Sequence, residues 1–525
     1  MKILGVNIGR KKVEPEQYNK HWSEHPDFPT YLWDGENTPY TLGTPWNVDI
    51  NYQAARVRAW SAYLKTDVVQ NAIKKYCLWV VGSGLKLQST PSFSILEKYK
   101  TGITKEILKK FTEDAESQFR LFAELNESVY SENYNLHDEA AEALKNALLA
   151  GDILCLLRYD GDKLSLETID GVHIKTPIGT KYEELAETKG NIIKDGVEID
   201  KKGKHVAFYV QNSDFDFDRI ETYGRKTGKK QAWLMYGMKG KKSDVRGVSL
   251  LLAVLETVSS MSEYKDSTLK SAKTNANIPY TIEHSQFSDG EDPRTQLMAQ
   301  AFGKGKGVAL ETLTSECDAK ASKIAMETNN QTFNMPVGSK LARHTGSTDE
   351  SFKDFFLVNI DVVYATLGIP PEVALDKFGG AYSGSRAALK AWEYKMMVDR
   401  TNILKRQFYQ PFYNYWLDIA IIDNLIQAPS YLQAMFDNNY MVLGAYRSCR
   451  FIGAGVPHID PAKEANAERT ILGKKLADAP LSTIEESIEK LGRGDYEQVV
   501  KKVNEEYQLL DNFKPEENVR TVNNG

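Results

Sequence analysis

Apolar positions first settle into a helical period at Tyr52, where Val57, Trp60, Leu64, Val68, Ile73, Tyr76 and Val80 recur every three to five residues. Thr66-Asp67 reads as a break and N-cap within this run. Gly82 and Gly84 stop the helix, and Leu85-Lys-Leu-Gln alternates as a strand does. Helical runs fill 94–125 and 136–150. After Ala150 the period shortens. Gly151 to Tyr159 passes through the turn Asp160-Gly161-Asp162 into Lys163 to Ile169, a hairpin signal, and further strands are expected at 191–199, 204–211 and 231–238. A long helix is then expected from Arg246 to about Asn275, with Ser249 or Asp244 near its cap. Leu251, Leu255, Val258, Met261 and Leu269 make its apolar side, and Glu263, Lys265, Asp266, Lys270 and Lys273 its polar side. Pro279 ends helical structure, Tyr280-Thr-Ile-Glu resumes strand, and 277–345 reads as a mixed α/β insert.

A second apolar helix, Phe352 to Leu367, leads into the most heavily punctuated stretch of the chain, Leu367 to Trp392. Pro370 and Pro371 lack the N–H that would continue the helix. Gly379, Gly380 and Gly384 let the backbone bend, and Ser383 or Ser385 is placed to cap a helix opened by Arg386. That helix is expected to run to about Tyr409, with Pro411 kinking or ending it. A loop so constrained between two helices is where function is expected. Further on, Asp460 and Pro461 start a helix, Ser482 and Glu485 form a capping box, and Asp495 with Gln498 forms another. Residues 11–50, rich in Pro, Trp, Tyr, Asn and Asp, read as an extended arm.

Composition narrows the classes. A chain of 525 residues exceeds one core and divides into about three or four regions. Its 42% hydrophobic and 26% charged content suits a globular protein, and a net charge of −5 argues against gripping nucleic acid by overall positive charge. The most apolar run, Val248 to Val258, contains Glu256 and is too short to span a membrane, and the N-terminus lacks a signal-peptide pattern. Cys77, Cys155, Cys317 and Cys449 form no CxxC, so neither a disulfide framework nor a zinc ribbon is indicated, which fits a reducing cytoplasm.

Candidate chemistry is sparse. His21-Trp-Ser-Glu-His25 fits an inverted zincin spacing, but Pro26 and Pro29 follow at once and deny it a stable helix. Gly303-Lys-Gly-Lys-Gly307 lacks phosphate-loop spacing, Gly380-Ala-Tyr-Ser-Gly384 is not a nucleophile elbow, and Asp160-Gly-Asp162 is a turn. No catalytic set and no cofactor is expected. The basic clusters Arg225, Lys229, Lys230 and Lys239, Lys241, Lys242 flank the strand expected at Gln231 to Met238. They read as solvated hairpin ends or as contacts for phosphate or an acidic partner.

Four blocks resemble the lambda-type portal proteins of tailed bacteriophages. They are Asp67 to Leu87 with its Val-Val-Gly-Ser-Gly-Leu ending, Gly151-Asp with Ile169-Asp-Gly-Val172, the loop with Leu367-Gly-Ile-Pro370 and Tyr382-Ser-Gly-Ser-Arg-Ala387, and Ile459-Asp-Pro-Ala-Lys-Glu-Ala465. The helix start at Arg246-Gly also fits the pattern. The resemblance implies an α+β portal-type subunit with long stem helices, a mixed α/β wing and clip, and a helical C-terminal crown. The implied map is an N-terminal arm 1–50, wing 51–245, first stem helix 246–276, clip 277–345 and second stem helix 346–369. A channel loop 370–385, a long helix and wing return 386–449, a crown 450–510 and a disordered tail 511–525 complete it. It further implies a homo-oligomeric ring, usually of twelve, at a capsid vertex of the virion, built in the host cytoplasm and passing double-stranded DNA. Terminase large subunit, major capsid or scaffold protein and head–tail adaptors are the implied partners, with no membrane. Twelve helices spaced ~10 Å apart make a circle ~38 Å across and leave a bore of ~28 Å, enough for a duplex. In the loop, Lys377 and Arg386 would touch phosphates, and Phe378, Tyr382 and Ser383 would face the channel. A non-channel phage adaptor and a head-maturation enzyme are the alternatives. The absence of a nucleophile–base set counts against the enzyme.

Overall fold

Thr66 divides two helices, α1 (Tyr52–Lys65) and α2 (Asp67–Val80), in a computed structural model. The structure describes residues 2–3, 6–7, 51–131, 133–160, 163–177, 182, 186, 190–213, 216–225, 227–241, 244–277, 281–284, 339–342, 349–377, 382–455, 461–472, 482–490 and 496–512. Thr66 holds the N-cap position without a side-chain bond. Asp67 Oδ1 instead accepts from the Val68 N–H at 3.0 Å. α2 buries Val68, Ile73, Tyr76 and Val80 as the periodicity predicts. On α1, however, Val57 and Leu64 are exposed. Its buried face is Ala55, Arg56, Ala59 and Tyr63, where two alanines let the backbone approach a neighbouring helix and one arginine meets a buried partner.

Gly82 and Gly84, both at positive φ, turn the chain into strand β1 (Lys86–Ser89). The run 94–125 is two helices, α3 (Phe93–Lys98) and α4 (Lys105–Glu124), parted at Lys100 and Gly102, which have positive φ. Asn135 opens α5 (Leu136–Ala150) with a capping box completed by Asp138. The expected hairpin follows as β2 (Asp152–Asp160) and β3 (Lys163–Asp170), antiparallel with Leu157 opposite Leu166. Strands β4 (Ile192–Lys194), β5 (Val197–Ile199), β6 (His205–Ser213) and β7 (Asp216–Glu221) form an antiparallel meander in chain order. β7 was missed by the sequence reading, because acidic residues at 216, 218 and 221 obscure its alternation. β8 (Ala232–Tyr236) pairs with β2, which therefore lies central in its own three-stranded sheet. Leu154, Leu156, Phe208, Val210 and Leu234 from the two sheets share one core.

The helix expected from Arg246 begins later. Residues 246–249 are not helical, Ser249 Oγ accepts from the Leu251 N–H at 3.2 Å, and a 3-10 turn Leu250–Val254 leads into α6 (Leu255–Asn277). Arg246 cannot join the helix because its side chain is wholly buried elsewhere. Leu251, Leu255, Val258 and Met261 are buried as expected, whereas Leu269 is exposed.

The chain forms two compact units, Met1–Ser259 with Ile360–Gly525, and Ser260–Asn359. In the second, β9 (Thr281–His284) pairs antiparallel with β10 (Ser339–Ala342), and the Tyr264 and Phe355 rings lie 4.6 Å apart. α7 (Asp349–Leu367) ends in the first unit at Gly368, which has φ +69°.

The loop expected at 370–385 contains structure of its own. Pro370 caps and Pro371 opens α8 (Pro371–Leu375), and α9 (Tyr382–Asp399) begins four residues before Arg386. Ser383 and Ser385 therefore lie in its first turns and do not cap it. Pro371 suits a helix start because the first N–H groups have no intrahelical partner in any case.

Pro411 likewise does not end its helix. α9 continues as a π-helical segment, Arg400–Tyr409, and then as α10 (Gln410–Ile422). The cause is a strict four-residue spacing of buried side chains: Trp392, Met396, Arg400, Leu404, Phe408, Phe412, Trp416 and Ala420. On an α-helix each four-residue step overshoots one turn by about 40°. Bonding from i to i+5 widens the turn and cancels the drift, so one stripe stays on the core. The Gln407 carbonyl, four residues before the proline that offers no N–H, accepts from Trp233 Nε1 at 2.5 Å.

α11 (Tyr431–Phe436) and α12 (Tyr440–Tyr446) lead to β11 (Cys449–Ile452), which pairs with β1. Pro461 starts α13 (Pro461–Ile471) as expected. The capping box before α14 (Ile484–Lys490) is one residue later than read. Glu486 N–H donates to Thr483 Oγ1 at 3.1 Å and Thr483 N–H to Glu486 Oε2 at 3.4 Å. α15 (Tyr496–Asn512) runs two residues past the expected crown boundary at 510. His21, His25, Cys317, Gly303–Gly307, Asp460, Asp495 and the tail from 513 lie outside the described residues.

Candidate functional site

The segment between α7 and α9 is held by α2, about 300 residues away in sequence. Asn71 Nδ2 donates to Tyr364 Oη at 3.1 Å and to the Ala374 carbonyl at 3.3 Å. Lys75 Nζ donates to the Val373 carbonyl at 3.3 Å and forms an ion pair with Asp376. On the far side Tyr76 Oη donates to Asp399 Oδ2 at 2.5 Å, Lys395 pairs with the same carboxylate, and the Tyr76 ring meets Trp392 edge-on at 5.8 Å. Three side chains of one helix thus fix the elements on both sides of the loop. Gly368 suits this position because its φ of +69° is a backbone conformation that L side chains rarely adopt.

Lys377 and Arg386 are exposed at the two ends of this loop. Tyr382 and Ser383 open α9, and Phe378 lies outside the described residues. The basic candidates are spread over other contacts. Arg225 is bidentate on Glu221, with Nε–Oε2 2.8 Å and Nη2–Oε1 2.9 Å. Hydrogen bonds from Arg225, ahead of those from Arg219, pull the Glu221 carboxyl down to about 2. Lys229 Nζ bonds Asp418 Oδ2 at 2.7 Å, and Asp418 also receives Tyr431 Oη and Arg447 Nη2 at 2.6 Å each. The Lys230 ammonium sits 5.8 Å from the Trp233 ring centroid, and the Lys241 N–H donates to Asp244 Oδ2 at 2.6 Å. Lys242 lies outside the described residues. Among the described basic residues, Arg225 and Lys229 each hold a carboxylate and Lys230 faces an aromatic ring.

The block of Gly151-Asp with Ile169–Val172 and the Arg246-Gly segment instead converge on a buried charge hub. Asp152 of the Gly-Asp block accepts Arg246 Nε at 2.8 Å, Arg246 Nη2 at 2.7 Å, Arg56 Nη2 at 3.0 Å and the Gly247 N–H at 2.7 Å. Arg246 spends its remaining donors on the carbonyls of Gly171, Ile174 and Asp195 at 2.7–3.0 Å, so every guanidinium N–H is bonded. Burial alone would push the Asp152 carboxyl up. Arg246 and Arg56, with the Arg246 and Gly247 hydrogen bonds, outweigh it and hold the group below the usual carboxylate range. Gly151 and Gly247 touch through bare backbone, since a Cβ on Gly247 would stand 2.0 Å from the Gly151 oxygen. A Cβ on Gly171 would stand 2.2 Å from Asp152 Oδ1. Arg56, the third member, carries no sequence signal of its own.

Among the described residues, no group of three or more His, Cys, Asp or Glu side chains could hold a metal ion, and no helix is long and apolar enough to cross a membrane. What the geometry offers is a loop with fixed roots and a scaffold tied by buried charge.

No curated protein matches the chain. Among solved structures, a chain from the neck of a native gene transfer agent particle with C12 symmetry is 13% identical, covers 77% of this chain and 95% of its own, and has a TM-score of 0.37. A chain from the neck of an empty particle with C6 symmetry is 14% identical over 85% and 94%, with a TM-score of 0.41. One from the virion of the native particle is 14% identical over 80% and 99%, with a TM-score of 0.36. Residues 42–398 match the family described as phage portal protein, lambda family, a span that includes α2, the hub and the loop and stops short of the Ile459–Ala465 block. Over more than half of its length the sequence carries this pattern, and the chain belongs to the lambda family of phage portal proteins, which are structural components and not enzymes.

Proposed function

We propose that about twelve copies of the chain close into a ring at one vertex of a phage head, and that double-stranded DNA is packaged and later ejected through the central channel. The family match over residues 42–398 carries this reading. The fixed roots of the loop support its detail, because a segment that contacts moving DNA needs anchorage on both sides. In this assignment 246–276 and 346–369 are stem helices, 277–345 is the clip, 51–245 the wing and 450–510 the crown. The loop 370–385 projects into the channel and presents Lys377, Phe378, Tyr382, Ser383 and Arg386 to the duplex. Terminase large subunit and head–tail adaptors dock on the ring in turn, and capsid or scaffold protein surrounds it.

Few positive charges at the loop suit a channel, because each phosphate contact adds grip that opposes sliding. Arg225 and Lys229 already hold carboxylates, so a phosphate there would have to displace Glu221 or Asp418. Lys230, Lys241 and Lys242 are proposed contacts for phosphate or an acidic partner. Negative-stain electron microscopy with mass measurement tests the ring. Closed rings of about a dozen subunits with a central hole are expected. A monomer or small oligomer that persists across salt and protein concentration would sink the channel reading and leave the non-channel adaptor.

A further inference from the structure

We infer that Lys75 is a positioning residue for the channel loop, fixing the conformation in which the chain enters it. This rests on the channel reading of 370–385. α8 is only five residues long, so its last carbonyls have no intrahelical donors. Lys75 and Asn71 of α2 supply two of them, at Val373 and Ala374. Immediately afterwards Asp376 adopts the left-handed conformation, φ +53° and ψ 33°, uncommon for residues other than glycine but one that Asp and Asn enter more readily than most. Its carboxylate is held by the same Lys75 ammonium.

One cation therefore does two jobs. It neutralises the negative end of a short helix, and it pins the residue whose backbone sets the direction of the chain at Lys377. The N–H groups of Asp376 and Lys377 both return to the Glu372 carbonyl, the second at 3.0 Å, which closes the turn only while Asp376 keeps its conformation. The far side of the loop is fixed independently through Tyr76, Asp399 and Trp392. Removing Lys75 should therefore release one root alone. The Lys75 side chain is mostly buried against α8, whereas that of Asp376 is mostly exposed, so the pair can be broken from the Asp376 side without opening the core.

Hydrogen exchange on the full-length protein, wild type against Lys75→Met, Lys75→Arg and Asp376→Asn, tests this. In Lys75→Met the amides of 373–377 should exchange about tenfold faster or more, with 67–80 and 152–158 unchanged, and Lys75→Arg should restore exchange to within about threefold. Unchanged exchange at 373–377 would overturn the inference. So would an equal rise across 67–80 and 382–399, which would make Lys75 an ordinary stabiliser of the fold. Should Lys75→Met not fold, Asp376→Asn carries the same test, since Asn tolerates the left-handed region and loses only the ion pair. DNA retention by assembled particles is the second readout. Faster exchange with unaltered retention would keep Lys75 as the anchor of this segment and overturn the channel reading instead.

Discussion

Asp152 is the most constrained carboxylate described here, with two arginines and a backbone N–H on its two oxygens. Replacing it by Asn keeps the shape and leaves two buried guanidinium groups without a counter-charge. A loss of about 3–5 kcal/mol in unfolding free energy is expected in urea titrations of Asp152→Asn at pH 7. The sign of the pH dependence follows from the depressed folded-state pKa. The carboxylate's contribution is complete above its ordinary value, about 4, and is lost as pH falls further through the folded value. Wild type should therefore lose stability below about pH 4, and Asp152→Asn should lose less over the same interval. Gly247→Ala tests the backbone contact separately. Its new Cβ would meet the Gly151 oxygen, which should cost about 1–3 kcal/mol by the same titration.

At the scale of elements, the π-helical segment joins the helix carrying the loop to the deeply buried α10. Its stability depends on Trp233, whose indole N–H occupies the carbonyl that Pro411 cannot serve. Trp233→Phe should cost about 1–3 kcal/mol, and less in a Pro411→Ala background, where a backbone N–H becomes available to Gln407. A double-mutant cycle measured by chemical unfolding checks this, and strict additivity would contradict it. The elements also show where pattern reading works. The hairpin at 152–170, the split at Thr66 and the helix opened by Pro461 follow from local period and cap chemistry. The π segment does not, although its signal, large or apolar residues every four positions from Trp392 to Ala420 with Arg400 among them, stands in the sequence. A helical template tolerates spacings of three and four alike and cannot see a drift that accumulates over seven steps. The start of α6 was misplaced for a different reason. Arg246 reads as the start of the helix until Asp152, 94 positions earlier, is known to hold it.

For the whole molecule, the proposed ring multiplies each weak contact by the number of subunits. Lys377→Gln and Arg386→Gln should leave ring assembly intact and weaken DNA retention by particles. They should also flatten its dependence on salt, since each phosphate contact removed lowers the slope by roughly one unit. A retention curve unchanged across salt would place the grip elsewhere. Family membership was readable before any coordinate, because Leu367-Gly-Ile-Pro and its companion blocks are local strings. The sequence by itself determined most of the helices, the hairpin at 152–170 and the family pattern, since these depend on neighbours within a few turns of chain. Only the tertiary structure decided which charges are spoken for and what holds the loop. Arg56, Asp152 and Arg246 meet across 190 positions, and Lys75 meets Asp376 across 301. Coulomb attraction and burial act through space, and no local pattern encodes such distances.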